Sequence, residues 1–231
     1  VTRPLRIHHE LLLLALHDRK GTMAFGTMVE LGLGGAILME LLLEGRVRIV
    51  EEGTRWKRSY VEVLDASTTH DPAMDAALEK LKGLKRRGNP RDTVTRIGHL
   101  RKLRALVARD LCRKGVLRET EQEILLLFRR KVYPTVDPGP ERELISRVRG
   151  ALEGTGPVDD RTASLVAVAD VTDTLGAIYP RKDRKRLKVR IKEVAGSGGG
   201  KATRDAVEAA RAAVAAAVTA AVVASTAAAS S

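Results

Sequence analysis

Arg101 and Arg104 stand three residues apart in the segment Leu-Arg-Lys-Leu-Arg, residues 100–104. On a helix that spacing puts two side chains on one face, so two guanidinium forks can converge on one phosphate through charge-assisted hydrogen bonds. The pair sits inside a wider basic stretch, with 13 Lys and Arg over residues 82–118 against Asp92 and Asp110. A merely solvated helix face mixes its signs, so this bias points to contact with an anion. A second run, residues 181–192, carries eight basic side chains against Asp183 alone and is a further candidate contact. The whole chain has a formal charge of +12 and a pI near 10.2. Phospholipid head groups, nucleic acid and acidic protein surfaces are the partners such a balance favours. Arginine outnumbers lysine 28 to 13; this suits bidentate phosphate binding, though GC-rich coding gives the same bias.

Other chemistries find less support. His8-His9-Glu10 and His17-Asp18 offer imidazole and carboxylate groups, but no third group stands at metal-ligand spacing, and His17 reads as a helix-end cap. His70 and His99 have no identifiable Ser or Cys partner. Gly32-Leu33-Gly34-Gly35 lacks both the preceding strand and the Lys-Ser/Thr of a phosphate loop. The expectation is therefore a protein that is not an enzyme, with no catalytic residue, no metal and no cofactor. Nucleic acid remains the rival partner, but aromatic residues are only 3% of the chain, which leaves few stacking platforms for single strands. No helix-turn-helix pattern is visible. The lone cysteine, Cys112, forms no internal disulfide and suits a reducing, cytoplasmic location. The apolar run Leu11–Leu16 is too short for an export signal. The Ala-rich segment from residue 206 is too weakly apolar to insert in a bilayer and reads as a helix.

Positioning these residues requires a set of helices. With 231 residues, 44% of them apolar, the chain is long enough to bury a core. Residues 5–17 read as a leucine-rich helix closed by Asp18-Arg19-Lys20-Gly21, followed by a strand or turn near Met23–Phe25. A core helix spans Ala36–Glu44 and stops at Gly45. Alternation over Arg46–Glu51 and Ser59–Leu64 predicts a β-hairpin, and Asp71-Pro72 starts another helix. After a polar loop at residues 82–90, apolar residues at helical spacing (Ile97, Leu100, Leu103, Val107, Leu111) predict one long helix over Thr93–Lys114. Glu121–Phe128 and Val132–Val136 predict a second hairpin with Arg129-Arg130-Lys131 at its tip. Further helices are expected over Glu141–Leu152, Thr162–Tyr179 and Thr203–Ala224. No repeat or boundary divides the chain. The expected fold is mainly α, a single-domain helical bundle over residues 1–231 with small β-hairpins. A flexible Gly-rich break is expected at 196–202 and a frayed tail at 225–231.

Three stretches, LLLLALHDRKG (11–21), GLGGAILMELLLEGRVRI (32–49) and LRKLRALVARDLCRKGVL (100–117), together resemble the Golgi phosphoprotein 3 family in order and spacing. Weaker similarity continues nearly to the C-terminus. The resemblance implies helices packed round an apolar central helical hairpin, and a peripheral membrane adaptor that binds phosphatidylinositol 4-phosphate. In the family a Trp and an Arg following the Asp-Arg-x-Gly turn, the Arg within Gly-Leu-Arg-Gly, join two arginines of a Leu-Arg-x-x-Arg motif around the head group. Arg101 and Arg104 match that second pair. The first pair is missing: Gly34 stands where the Arg is expected, and the Trp position falls near Gly26. Losing one phosphate contact of about 1.5–3 kcal/mol weakens binding roughly tenfold to a hundredfold, so head-group selectivity should be poor unless Arg46 or Arg55 rebuilds the pocket.

Leu125-Leu126-Leu127-Phe128 resembles the family's apolar hairpin. Leu127, Phe128, Arg129, Arg130 and Lys131 are therefore candidate membrane contacts, each cation adding about 1 kcal/mol near an anionic surface. In some relatives this hairpin mediates self-association, so a homo-oligomer is a further expectation. Trp56, the only Trp, lies between Arg55 and Lys57 on the first hairpin and is a candidate interfacial anchor. The chain begins close to the domain, without the long basic extension of eukaryotic members, so coat recruitment is not expected. Arg- and Ala-rich usage suggests a bacterial relative with an unknown client protein.

Overall fold

The computed structural model describes residues 5–16, 28–53, 58–124 and 128–197, together with helical positions 212, 214–216 and 219; of Ile124 and Phe128 it describes the backbone alone. The described residues are mainly helical, with two small antiparallel hairpins, as expected.

Helix α1 (Ile7–Ala15) is buried at every position. Apolar residues surround Leu11–Leu14 on all sides, the pattern of a helix in the middle of a core. It packs against α2 (Met28–Leu43) and against helices contributed by the rest of the chain. α2 begins at Met28, well before the expected Ala36, and runs through Gly32, Gly34 and Gly35. Each interior glycine costs about 1 kcal/mol of helix propensity relative to alanine, so local preference argues against this extension. Packing overrides it. A Cβ on Gly34 would lie 2.5 Å from the Val94 carbonyl oxygen and 2.6 Å from the Gly98 nitrogen, and one on Gly35 would run into Val214. The glycines let neighbouring elements touch the α2 backbone.

The first hairpin pairs β1 (Val47–Glu52) with β2 (Arg58–Val63), close to its expected limits. Helix α3 (Pro72–Lys82) starts where Asp71-Pro72 predicts, with the Asp71 carboxylate accepting the Ala73 and Met74 N–H at 3.0 and 3.1 Å. The single helix expected over Thr93–Lys114 is instead two: α4 (Pro90–Gly98) and α5 (Leu103–Arg113), separated by a turn in which Lys102 adopts φ +61°. The apolar stripe is continuous in sequence but serves two sets of partners. Val94 and Ile97 bury with α4, which packs on α2, whereas Leu103, Val107 and Leu111 bury with α5 against α1 and α3. One straight axis does not serve both. Arg101 therefore lies in the turn and Arg104 in the first turn of α5, not on one continuous face.

The second hairpin pairs β3 (Thr120–Ile124) with β4 (Phe128–Val132). Arg129, Arg130 and Lys131 are thus strand residues rather than a tip, facing Glu123, Gln122 and Glu121 across the ladder. Opposite charges and a polar amide opposite the basic run favour this register. Helix α6 (Gly139–Glu153) is followed by α7 (Asp160–Val171), capped by Asp159, which accepts the Thr162 N–H at 2.9 Å. The helix expected over Thr162–Tyr179 ends early. Thr172 and Thr174 return their hydroxyls to the Val168 and Ala169 carbonyls, Asp173 takes φ +63°, and a 3-10 turn follows at Thr174–Ala177. Helices α8 (Arg181–Arg186) and α9 (Lys188–Gly196) carry the second basic run, and α9 packs on α7 through Ile191 and Val194. The Asp18–Gly21 turn, the Met23–Phe25 segment, most of Thr203–Ala224 and the tail lie outside the described residues, as does the Gly-rich break from residue 198 onward.

Candidate functional site

Where the start of α5 meets β4, a recess of about 450 Å³ opens; its lining includes Lys102, Arg104, Arg109, Arg130, Lys131 and Tyr133, with Glu30 as the lining carboxylate. The left-handed corner at Lys102 and the first turns of α5 place three of the cations, while β4 supplies the other two. Arg109 Nε donates to Glu119 at 2.8 Å, and Lys131 bonds to the same carboxylate. Those two bonds, Arg109's first, hold the Glu119 carboxyl below its usual pKa. Arg130 donates to Gln122 at 3.1 Å, and Tyr133 has its phenol pKa pushed up by burial and by the Glu119 charge. Arg104 stands 3.7 Å from Glu30, both side chains well exposed. Such a pair is worth less than about 1 kcal/mol, so Glu30 does not hold Arg104 in place. Grouped cations of this kind can bind and orient an anion.

Arg104, Arg130 and Lys131, picked out by two separate sequence signals, meet in this recess. Arg101 is exposed in the α4–α5 turn and does not line it. Arg129 faces Glu121 and Glu123 at 3.7 and 3.8 Å and does not line it either. Trp56, Leu127 and Arg55 fall outside the described residues, and Phe128 is described by its backbone alone. Arg46 is engaged by Asp65 at 2.5 Å and by Ser67, so it does not rebuild a pocket. Sequence reasoning missed Lys102, Arg109 and Tyr133. The first two lie in the basic stretch already noted, but no spacing rule separates them from its other cations.

Beneath the N-terminal end of α1 lies a second group of polar side chains, all buried. The sequence offered no third ligand beside His8 and His9; the fold brings Asp71 to them from the start of α3. His8 Nε2 is 2.9 Å from Asp71 Oδ2, and His9 Nε2 is 3.5 Å from the same atom and 2.9 Å from Asp110. The other His9 nitrogen, Nδ1, accepts the Arg6 backbone N–H at 3.2 Å. In the neutral ring Nε2 then carries the hydrogen and turns it toward the carboxylates. The Arg6 guanidinium also lies 3.2 Å from Asp71. The His8–Asp71 hydrogen bond ties α1 to α3, and the approach of His9 to Asp110 brings α5 to the same group. Burial, then the neighbouring His8, lower the His9 pKa to about 4. Burial alone would raise Asp71, but His8 and His9 outweigh it and hold that carboxylate well below its usual range. Two buried glutamates complete the anchoring: Glu40 accepts the Ile7 N–H at 3.0 Å and faces Arg161, and Glu10 faces Arg147, each ion pair at 2.7 Å.

The model of the Golgi phosphoprotein 3 family matches residues 7–210. The chain belongs to the Golgi phosphoprotein 3 family. Vacuolar protein sorting-associated protein 74 of Eremothecium gossypii is 30% identical over 167 residues, which is 64% of this chain and 49% of that protein. The match thus spans about half the length of that relative. Gly34, where the resemblance leads one to expect an arginine, lies within α2. It is buried against α4, and the space a side chain would need holds the Val94 carbonyl and the Gly98 backbone. No helix among the described residues is long and apolar enough to cross a membrane.

Proposed function

We propose that this member of the Golgi phosphoprotein 3 family is a non-catalytic, peripheral membrane protein that holds phosphorylated lipid head groups in the recess between α5 and β4. The single observation that carries the reading is the gathering of five cations around one recess with Glu30 as the lining carboxylate. Phosphatidylinositol 4-phosphate is the default ligand by family resemblance. Its selectivity should be weak, because Gly34, packed against the α4 backbone, contributes no arginine side chain. The protein acts at a cytoplasmic membrane surface and hands on a client protein, with self-association through the β3–β4 hairpin as part of the same reading.

The test is flotation with vesicles of varied head group at two salt concentrations, beside duplex DNA of matched charge. Binding to anionic vesicles that falls as salt rises is the expected outcome, since exposed charge contacts are screened. Phosphatidylinositol 4-phosphate should exceed a bulk anionic lipid at equal surface charge by less than about tenfold. DNA binding without vesicle binding at moderate salt would replace this reading with a nucleic-acid function.

A further inference from the structure

The basic run at 181–192 also builds a concave site. Helices α8 and α9 wall a recess of about 250 Å³ lined by Arg181, Arg184, Lys185, Lys188 and Lys192. Asp170, at the end of α7, and Asp173, in the left-handed turn after it, complete its polar lining. Arg184 is paired with Asp173, yet its Nε is buried without a hydrogen-bond partner. Arg181, Lys185, Lys188 and Lys192 have no carboxylate within 4.0 Å among the described residues. The recess between α5 and β4 differs in this respect, because Glu30 and Glu119 engage three of its five cations and the Gln122 amide a fourth. Like charges crowded on two short adjoining helices repel one another, and a bound anion removes that repulsion.

We propose that the α8–α9 recess is a second anion site, taking a phosphomonoester either on a lipid or on a soluble ester. Five cations against two carboxylates leave a net charge of about three to oppose a dianion. The guanidinium forks of Arg181 and Arg184 suit paired phosphate oxygens, and the lysines act as point charges. With a little over half the volume of the first recess, this one suits the phosphate group itself rather than a whole sugar head group. Partial burial of the Asp170 carboxyl raises its pKa against the pull of Arg184. That carboxylate opposes the anion and sets an upper limit on affinity.

The experiment titrates inorganic phosphate into the full chain and follows backbone amide shifts by NMR. A saturable set of shifts should fall on residues 173–192, apart from those at the first recess. Lys188→Glu/Lys192→Glu should weaken binding at least about tenfold, and Lys188→Gln/Lys192→Gln by less, while Asp170→Asn tightens it a few-fold. Arg186→Glu, which alters a side chain 3.8 Å from Asp183 that does not line the recess, should change it less than about twofold. Arg104→Glu should leave the 173–192 shifts unchanged while altering those at the first recess, so the two sites fail or stand separately. Vesicles carrying phosphatidic acid or phosphatidylglycerol at equal charge identify the source. A preference for phosphatidic acid that Lys188→Glu/Lys192→Glu removes assigns a lipid, and phosphate binding without such a preference assigns a soluble ester. Unsaturable shifts spread over every basic face, or equal losses from Arg186→Glu and the lysine pair, would overturn the proposal.

Discussion

At the scale of single residues, Gly34 shows how an aligned position differs from an available one. Its neighbours on α4 are backbone atoms, which do not swing aside as a side-chain end does. Gly34→Ala should therefore destabilise the fold by about 1–3 kcal/mol in urea unfolding, despite alanine's better helix propensity. Gly34→Arg should lower stability further and fail to improve vesicle binding. His9 carries a second prediction. Its folded pKa of about 4 lies below the ordinary 6.5, so the unfolded state binds more protons between those values. Stability is fully present above pH 6.5 and falls as pH drops toward 4, by about 2 kcal/mol between pH 7 and 5. His9→Asn, which keeps an acceptor for the Arg6 N–H, should flatten that slope when unfolding is measured at both pH values. A slope unchanged by the substitution would move the effect to other groups.

At the scale of elements, the break between α4 and α5 separates two arginines that the sequence set side by side. Hydrophobic periodicity located the apolar stripe correctly but carries no information on which partner each half meets, so it did not reveal the corner at Lys102. The same limit explains α2: propensity placed its start after the glycines, whereas contacts with α4 and Val214 extend it through them. Asp71-Pro72 and the alternation of the first hairpin were legible because local chemistry decides them. For the second hairpin the sequence identified the strands' neighbourhood, but register follows cross-strand pairing of Arg129–Lys131 with Glu121–Glu123. Arg104→Glu should reduce vesicle binding several-fold more than Arg101→Glu, because Arg104 lines the recess and Arg101 does not; equal losses would restore a shared face. Lys102→Gly should relieve a left-handed residue and stabilise by up to about 1 kcal/mol in thermal unfolding, while weakening vesicle binding through the lost charge.

At the scale of the whole molecule, a charge of +12 guarantees attraction to anionic surfaces, and attraction alone requires no site. The central claim is that the α5–β4 recess gathers this charge into a binding site, and counting charges in sequence order does not reveal such a gathering. Arg104 and Arg130 are distant in the chain and meet because α5 and β4 come together. Equilibrium binding to vesicles containing phosphatidylinositol 4-phosphate tests this directly when two variants of identical net charge are compared. Arg104→Glu/Arg130→Glu reverses the recess, and Arg86→Glu/Arg91→Glu reverses two exposed cations outside it. The recess variant should bind at least about tenfold more weakly, with the control variant losing less than about threefold and both remaining folded. Equal losses in the two variants would contradict the claim, since net charge would then account for all of the binding.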